Sequence, residues 1–240
     1  MIGRRRITVW TISVVSALLA VGFTLFQISK ARCYSLAGEA ICRVETEQPL
    51  VALTFDDGPT AEGVALAAET LGRHGVRGTF FMIGGAVEGR EPLVRRLVGD
   101  GHEIGNHSFS HVRMTLHGAA FYDSEIRRTD AALQAAGARR PTLFRPPYGK
   151  KLIGLPRALA RSGHRMIMWD VEDPAGAQTP QDYARRMVEQ ARPGSILLVH
   201  LMYRSNRTAR EALPLIIEGL ARRGFRMVTV SELLAAGHGR

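Results

Sequence analysis

Asp56 and Asp57 stand side by side after the apolar run Leu50–Phe55 and lead into Gly58 and Pro59. Two adjacent carboxylates at the end of a buried strand repel each other unless a cation or an arginine relieves them. The same four residues, Asp-Asp-Gly-Pro, also make an ordinary turn. His107 and His111 lie four apart, so if their loop takes a helical turn both imidazoles face one way and can grip one ion. In a chain with eight histidines that spacing is weak evidence by itself. Joined to Asp57 it offers two nitrogens and one oxygen, and a three-ligand set leaves a position open for water and substrate. That is the arrangement of a catalytic metal site, whereas a closed structural site uses four protein ligands.

Arg145 precedes Pro146-Pro147-Tyr148-Gly149, and two prolines stiffen the loop so that the guanidinium can be aimed at a carboxylate. Taken alone, the motif reads better as a rigid turn with a surface arginine. His200 follows Ile196-Leu197-Leu198-Val199, where a lone histidine is more often a hydrogen-bonded core residue than a catalyst. Trp169, with Met166 and Met168 on the same run, is core or pocket wall.

The elements that must position these groups alternate. Apolar runs at Leu50–Phe55, Gly78–Ile83, Glu103–His107, Thr142–Arg145, Arg165–Trp169, Ser195–His200 and Arg226–Val230 predict seven strands. Between them, helical periodicity covers Glu62–Arg73, Pro92–Asp100, Phe121–Ala136, Gln181–Ala191 and Arg207–Arg222. A regular β-then-α order argues for parallel strands in an α/β fold, and both doubly wound sheets and (β/α) barrels satisfy it. In either, the loops after the strands share one face, and here five strand ends deliver acids, imidazoles and an arginine to it.

The 240 residues hold 32 Lys and Arg against 22 Asp and Glu, for a formal charge of +10. Residues 1–32 carry five of the basic side chains and no acid, so half the surplus flanks one segment and no nucleic-acid partner is expected. From Ile7 to Ile28, 22 residues carry no formal charge. As a helix they rise about 33 Å, enough to cross the hydrocarbon layer. Arg4–Arg6 favour a cytoplasmic N-terminus. A cleaved signal peptide is the rival, although the apolar stretch exceeds an ordinary signal core and no small-x-small cleavage site follows directly; a twin-arginine signal fits poorly. The expected organisation is therefore a cytoplasmic end (1–6), a single-pass inner-membrane anchor (7–28), a linker (29–49) and a periplasmic or extracellular domain (50–240). Cys33 and Cys42 either close a small loop in the linker or remain two thiols.

The order Thr54-Phe55-Asp56-Asp57-Gly58-Pro59, His107-Ser108-Phe109-Ser110-His111, Arg145-Pro146-Pro147-Tyr148-Gly149, a tryptophan strand and Leu198-Val199-His200 resembles the polysaccharide deacetylases of carbohydrate esterase family 4, the NodB-like domain. The match runs from about Leu50 to Val230. The resemblance implies a distorted (β/α)7 barrel and metal-dependent hydrolysis of N-acetyl groups, or O-acetyl groups in some members, on sugars. It makes Asp57, His107 and His111 the ligands of a divalent metal, usually zinc and sometimes cobalt or nickel. Asp56 becomes the general base, Arg145 its partner, the Tyr148 backbone N–H an oxyanion donor and His200 the general acid. Leu198 would line the acetyl pocket, with Trp169 and Pro147 contacting substrate.

One motif departs from the family pattern. An Asp-Trp pair usually follows the fifth-strand tryptophan, whereas here Trp169 leads into Asp170-Val171-Glu172-Asp173-Pro174. Asp173 is the expected partner of His200, with Glu172 and Asp170 as alternatives, and the groove wall is shortened. The expected substrate is an acetylated envelope or exported glycan such as peptidoglycan or a chitooligosaccharide. The alternatives are a deacylase or deformylase of a sugar carried on a lipid phosphate, and a non-catalytic glycan-binding envelope protein.

Overall fold

The computed structural model describes the backbone of residues 2–237 and the side chains of residues 10–237. β1 (Leu50–Asp56) is buried along its whole length at the centre of a seven-stranded parallel sheet. It pairs with β2 (Thr79–Met82) on one flank and β6 (Ile196–Val199) on the other, while its first residues also pair with β7 (Arg226–Val228). Beyond β2 the sheet continues through β3 (Glu103–Asn106), β4 (Leu143–Phe144) and β5 (Arg165–Met166). Single bridges Ile41–Ile167, Arg43–Ser195 and Val171–Leu197 span the gap between β5 and β6. The sheet is thus a distorted (β/α) barrel whose wall is completed by residues preceding β1.

The connecting helices are α2 (Ala61–Arg73), α3 (Glu91–Gly99), α4 (Ala119–Ala135), α5 (Gly154–Ser162), α6 (Pro180–Gln190) and α7 (Arg207–Arg222), followed by α8 (Val230–Gly237). Their starts follow local chemistry. Thr60 caps α2 by accepting from Gly63 N–H, and Thr179 caps α6 by accepting from Asp182 N–H with Pro180 beginning the helix. α2 then buries Val64, Ala67, Ala68 and Leu71, a three-and-four spacing that faces the sheet.

All seven expected runs carry a strand. The fourth and fifth shrink to two residues each, and the fifth run is continued by backbone hydrogen bonds between Ile41 and Met166–Met168. The period of two along β1 decides what each side chain meets. Val51, Leu53 and Phe55 enter the outer core beneath the helices, whereas Leu50 and Ala52 enter the core inside the barrel. Thr54 and Asp56 continue the inward row. β6 repeats the pattern, with Leu197 and Val199 outward and Ile196 and Leu198 inward.

α1 (Ile2–Lys30) precedes the barrel, and its stretch Trp10–Lys30 is long and apolar enough to cross a membrane by length and composition, with a mean hydropathy of 2.0. The charge argument from Arg4–Arg6 concerns side chains outside the described residues. Cys33 and Cys42 form a disulfide, and Ile41 and Val44 are buried in the inner core. The segment 29–49, expected as a linker, is therefore partly built into the barrel wall.

Candidate active site

Arg145 is wholly buried inside the barrel and spends its donors on fixed acceptors. One terminal nitrogen donates to Asp56 Oδ1 at 2.7 Å and to Thr54 Oγ1 at 2.8 Å. The other donates to Met168 O at 3.0 Å, and Nε donates to Ile167 O at 3.3 Å. Its guanidinium also lies 4.1 Å from the Phe81 ring centroid. Burial pushes the Asp56 carboxyl up, but the charge of Arg145, then His107 and His200, outweighs it and leaves the pKa below the ordinary value. Asp56 is a buried carboxylate held ionised by fixed protein groups.

Asp57 sits at φ 72, and the cis Gly58–Pro59 bond follows. At Gly58, φ 78, a Cβ would also meet the Met202 sulfur at 2.8 Å, so only glycine fits the turn. His107 Nδ1 lies 2.8 Å from Arg145 O, the geometry of a donated N–H, which leaves the Nε2 lone pair facing inward. That Nε2 is 3.7 Å from Asp57 Oδ1 and 3.7 Å from Asp56 Oδ2. His111 Nε2 is 3.2 Å from the same Asp57 Oδ1. Burial, then the His107 charge, pushes the His111 imidazole down, towards the neutral form that coordinates metals.

The loop from His107 to His111 does not take the helical turn on which the spacing argument is conditional. Ser108 and His111 take positive φ of 65 and 55. The side chain of Asn106 accepts from Ser108 N–H at 2.9 Å, and Ser108 Oγ accepts from His111 N–H at 3.1 Å. Buried Glu125 accepts from Phe109 N–H, Ser110 N–H and Ser110 Oγ, each at 2.9 Å. Side-chain bonds replace helical ones, and the imidazoles converge across a folded loop, ring centroids 5.0 Å apart. Of the five non-glycine residues with positive φ among those described, Asp57, Ser108, His111 and Tyr148 surround this cluster. Such backbone strain gathers at functional sites.

One ligand atom from each of Asp57, His107 and His111 lies within 4.8 Å of the others. Asp57 Oδ1 is buried and has no hydrogen-bond partner. A carboxylate oxygen facing imidazole nitrogens without a protein partner would be satisfied by a cation among the three, so the residues present fit a divalent metal of the zinc type.

Directly after β6, His200 Nδ1 hydrogen-bonds Asp173 Oδ2, while Asp173 Oδ1 accepts from the Tyr183 hydroxyl. The two other acids of that loop are engaged elsewhere. Asp170 accepts from Ser195 Oγ and Ile196 N–H at 2.9 Å, and Glu172 accepts from Trp169 Nε1 at 2.8 Å and Arg32 at 2.7 Å. Burial lowers the His200 pKa, but the Asp173 hydrogen bond, then the Asp56 charge, raises it overall to about 9. Tyr148 is held at φ 57 with its ring 4.9 Å from His111. Pro147, Trp169 and Leu198 are buried. Tyr183, Glu125 and Asn106 escaped sequence reasoning, because a tyrosine, an acid and an amide on buried faces signal packing until their partners are known.

Concavities of about 490 and 480 Å³ elsewhere on the surface, one lined by Asp123, Asp130 and Arg161 and one by His102, Glu103 and Arg139, are larger than a metal cluster needs and gather no comparable ligand set. The chemistry follows the side chains rather than the volume.

The sequence model described as polysaccharide deacetylase matches residues 43–167. The chain is 34% identical over 200 residues to the peptidoglycan-N-acetylmuramic acid deacetylase PdaC of Bacillus subtilis (strain 168), covering 79% of this chain and 40% of that relative. It is 31% identical to the chitooligosaccharide deacetylase of Bradyrhizobium sp. (strain ANU 289), covering 76% of this chain and 90% of the relative. The crystal structure of the Bc1960 peptidoglycan N-acetylglucosamine deacetylase superposes with a TM-score of 0.77 at 28% identity, covering 83% of this chain and 94% of that one.

Proposed function

Because the chain belongs to the polysaccharide deacetylase family, we propose that it hydrolyses acetyl groups from an envelope or exported glycan, with Asp57, His107 and His111 holding the divalent cation the reaction uses. The observation that carries the reading is the buried, unpartnered Asp57 Oδ1 between two imidazoles, beside a carboxylate locked by arginine. Zinc suits the nitrogen-rich donor set, with cobalt or nickel able to replace it. A cation bound there acidifies water and polarises the acetyl carbonyl.

The chain's own groups divide the proton work. Asp56, ionised by Arg145, accepts the proton of the attacking water. The Tyr148 backbone N–H donates to the oxyanion that forms as the carbonyl carbon becomes tetrahedral. His200 donates its proton to the departing sugar nitrogen, or to the oxygen of an O-acetyl group, so water and the acetylated sugar yield acetate and the free amine or hydroxyl. Asp173 fixes the His200 tautomer and keeps the ring protonated near neutral pH. Leu198 walls the space for the acetyl methyl, and Trp169 and Pro147 face the sugar. Peptidoglycan and chitooligosaccharides are the substrates to try first, since the named relatives act on them.

The helix Trp10–Lys30 serves in this reading as a single-pass anchor, leaving the barrel outside the cytoplasmic membrane. The test is acetate release by the zinc-loaded full chain in detergent, compared with Asp56→Asn at equal metal content. Release by the parent chain alone supports the assignment, and equal release by both removes Asp56 as the base.

A further inference from the structure

Outside α1, most of the large apolar side chains exposed among the described residues lie in loops that follow strands. Val112 and Leu116 lie between β3 and α4, Tyr148 and Ile153 between β4 and α5, and Tyr203 between β6 and α7; the rest belong to the segment joining α1 to β1. None of these five lies on α2 to α8 or in a loop that leads into a strand. All five are therefore on the face that carries the site, and Leu116 is 90% exposed. An apolar patch confined to one face marks a surface that meets something.

Basic groups ring the same patch. The Lys30 and Lys150 ammoniums lie 5.0 and 4.4 Å from the Phe26 ring centroid, and the Arg113 guanidinium lies 5.7 Å from that of Tyr148. None of the three has an ion-pair partner among the described residues. Burial, then the charges of Lys30 and Arg113, pushes the Lys150 ammonium below its ordinary value, so positive charge is concentrated where a counter-anion relieves it.

The end of α1 is fastened to this rim. Lys151 N–H donates to Ser29 O at 3.0 Å and Lys151 Nζ donates to Ala31 O. Arg32 reaches Glu172 at 2.7 Å, and Glu172 in turn accepts from Trp169, on the side where the groove wall is shortened. Tyr148 is three residues from Lys151, at most about 11 Å of extended chain. The apolar helix therefore leaves the barrel beside the mouth of the site.

We propose that this face docks on the bilayer from which α1 emerges, with Val112, Leu116 and Ile153 entering the headgroup–acyl boundary and Lys30, Lys150 and Arg113 meeting the phosphates of anionic lipids. The site then takes acetylated sugars presented at the membrane surface, the class that includes a sugar carried on a lipid phosphate. That substrate class rests on the deacetylase reading, whereas the docking does not.

Depth measurement tests the docking in the full chain, reconstituted in vesicles of phosphatidylcholine and phosphatidylglycerol. A fluorophore on Leu116→Cys should be quenched several-fold more by headgroup-labelled lipids than one on Arg185→Cys, which lies on α6. Equal quenching at the two positions overturns the docking. The substrate class is tested with Leu116→Ser/Lys150→Gln. Acetate release from a soluble chitooligosaccharide should be unchanged, while release from an N-acetylglucosaminyl diphosphate polyprenol in the same vesicles should fall roughly tenfold. An equal effect on both substrates overturns it. Release from neither by the zinc-loaded parent chain counts against the deacetylase reading and leaves the quenching result standing.

Discussion

Arg145 and Asp56 expose 0% and 4% of their side chains, whereas His200 and Asp173 expose 34% and 31%. Both pairs join an acid to a base, yet burial changes what each can do. In the sealed pair solvent contributes nothing, so the charge of Asp56 depends on the fixed donors of Arg145 and on nearby imidazoles. In the open pair water can reach the imidazole, so a proton that His200 gave up in the proposed reaction would be replaceable. A hydrolase needs this asymmetry, with a base that stays ionised and an acid that reloads.

Breaking the sealed side should have the largest effects. Asp56→Asn should lower kcat by about a thousandfold while retaining zinc, read by acetate release and metal analysis on the same sample. Arg145→Met should cost about 3–5 kcal/mol of stability, since it leaves a buried carboxylate uncompensated, and denaturant titration reads the loss. A loss below about 1 kcal/mol would mean that solvent reaches Asp56 after all.

The open side should respond less and mainly through pH. His200→Ala should lower kcat about a hundredfold with unchanged metal content. In the parent chain, His200 is protonated below its raised pKa of about 9, so activity should decline as pH rises through that value. Asp173→Asn removes the charge and weakens the hydrogen bond that hold the proton, so the decline should move to lower pH; an unmoved limb would assign it to another group. Tyr183→Phe sharpens the comparison with the smallest change. Losing one donor to Asp173 should reduce kcat about fivefold with KM unchanged, because the tyrosine positions the relay and does not touch sugar. A raised KM with intact kcat would place it in the binding surface instead.

Much of this arrangement was legible before coordinates. The central strands β1, β2 and β6 were plain because a strand buried on both faces is a largely apolar segment, and the polar residues at the strand ends marked the site face. The shape of the His107–His111 loop was not legible, since spacing suggested a helical turn while Asn106, Ser108 and Glu125 impose a different fold through bonds between distant elements. Which acid meets His200 was open among three neighbours; it is settled by Ser195, Ile196, Trp169 and Arg32, which occupy Asp170 and Glu172. Ile41 was hidden for the same reason, since its strand-like role depends on partners more than a hundred residues away.

Calorimetric titration of the metal-free full chain with zinc tests the central claim most directly. One ion should bind per chain, His107→Ala should weaken it by at least roughly a hundredfold, and His200→Ala should bind as the parent does. Unchanged zinc affinity in His107→Ala would contradict the account, because the cluster at Asp57 would then not be what holds the cation.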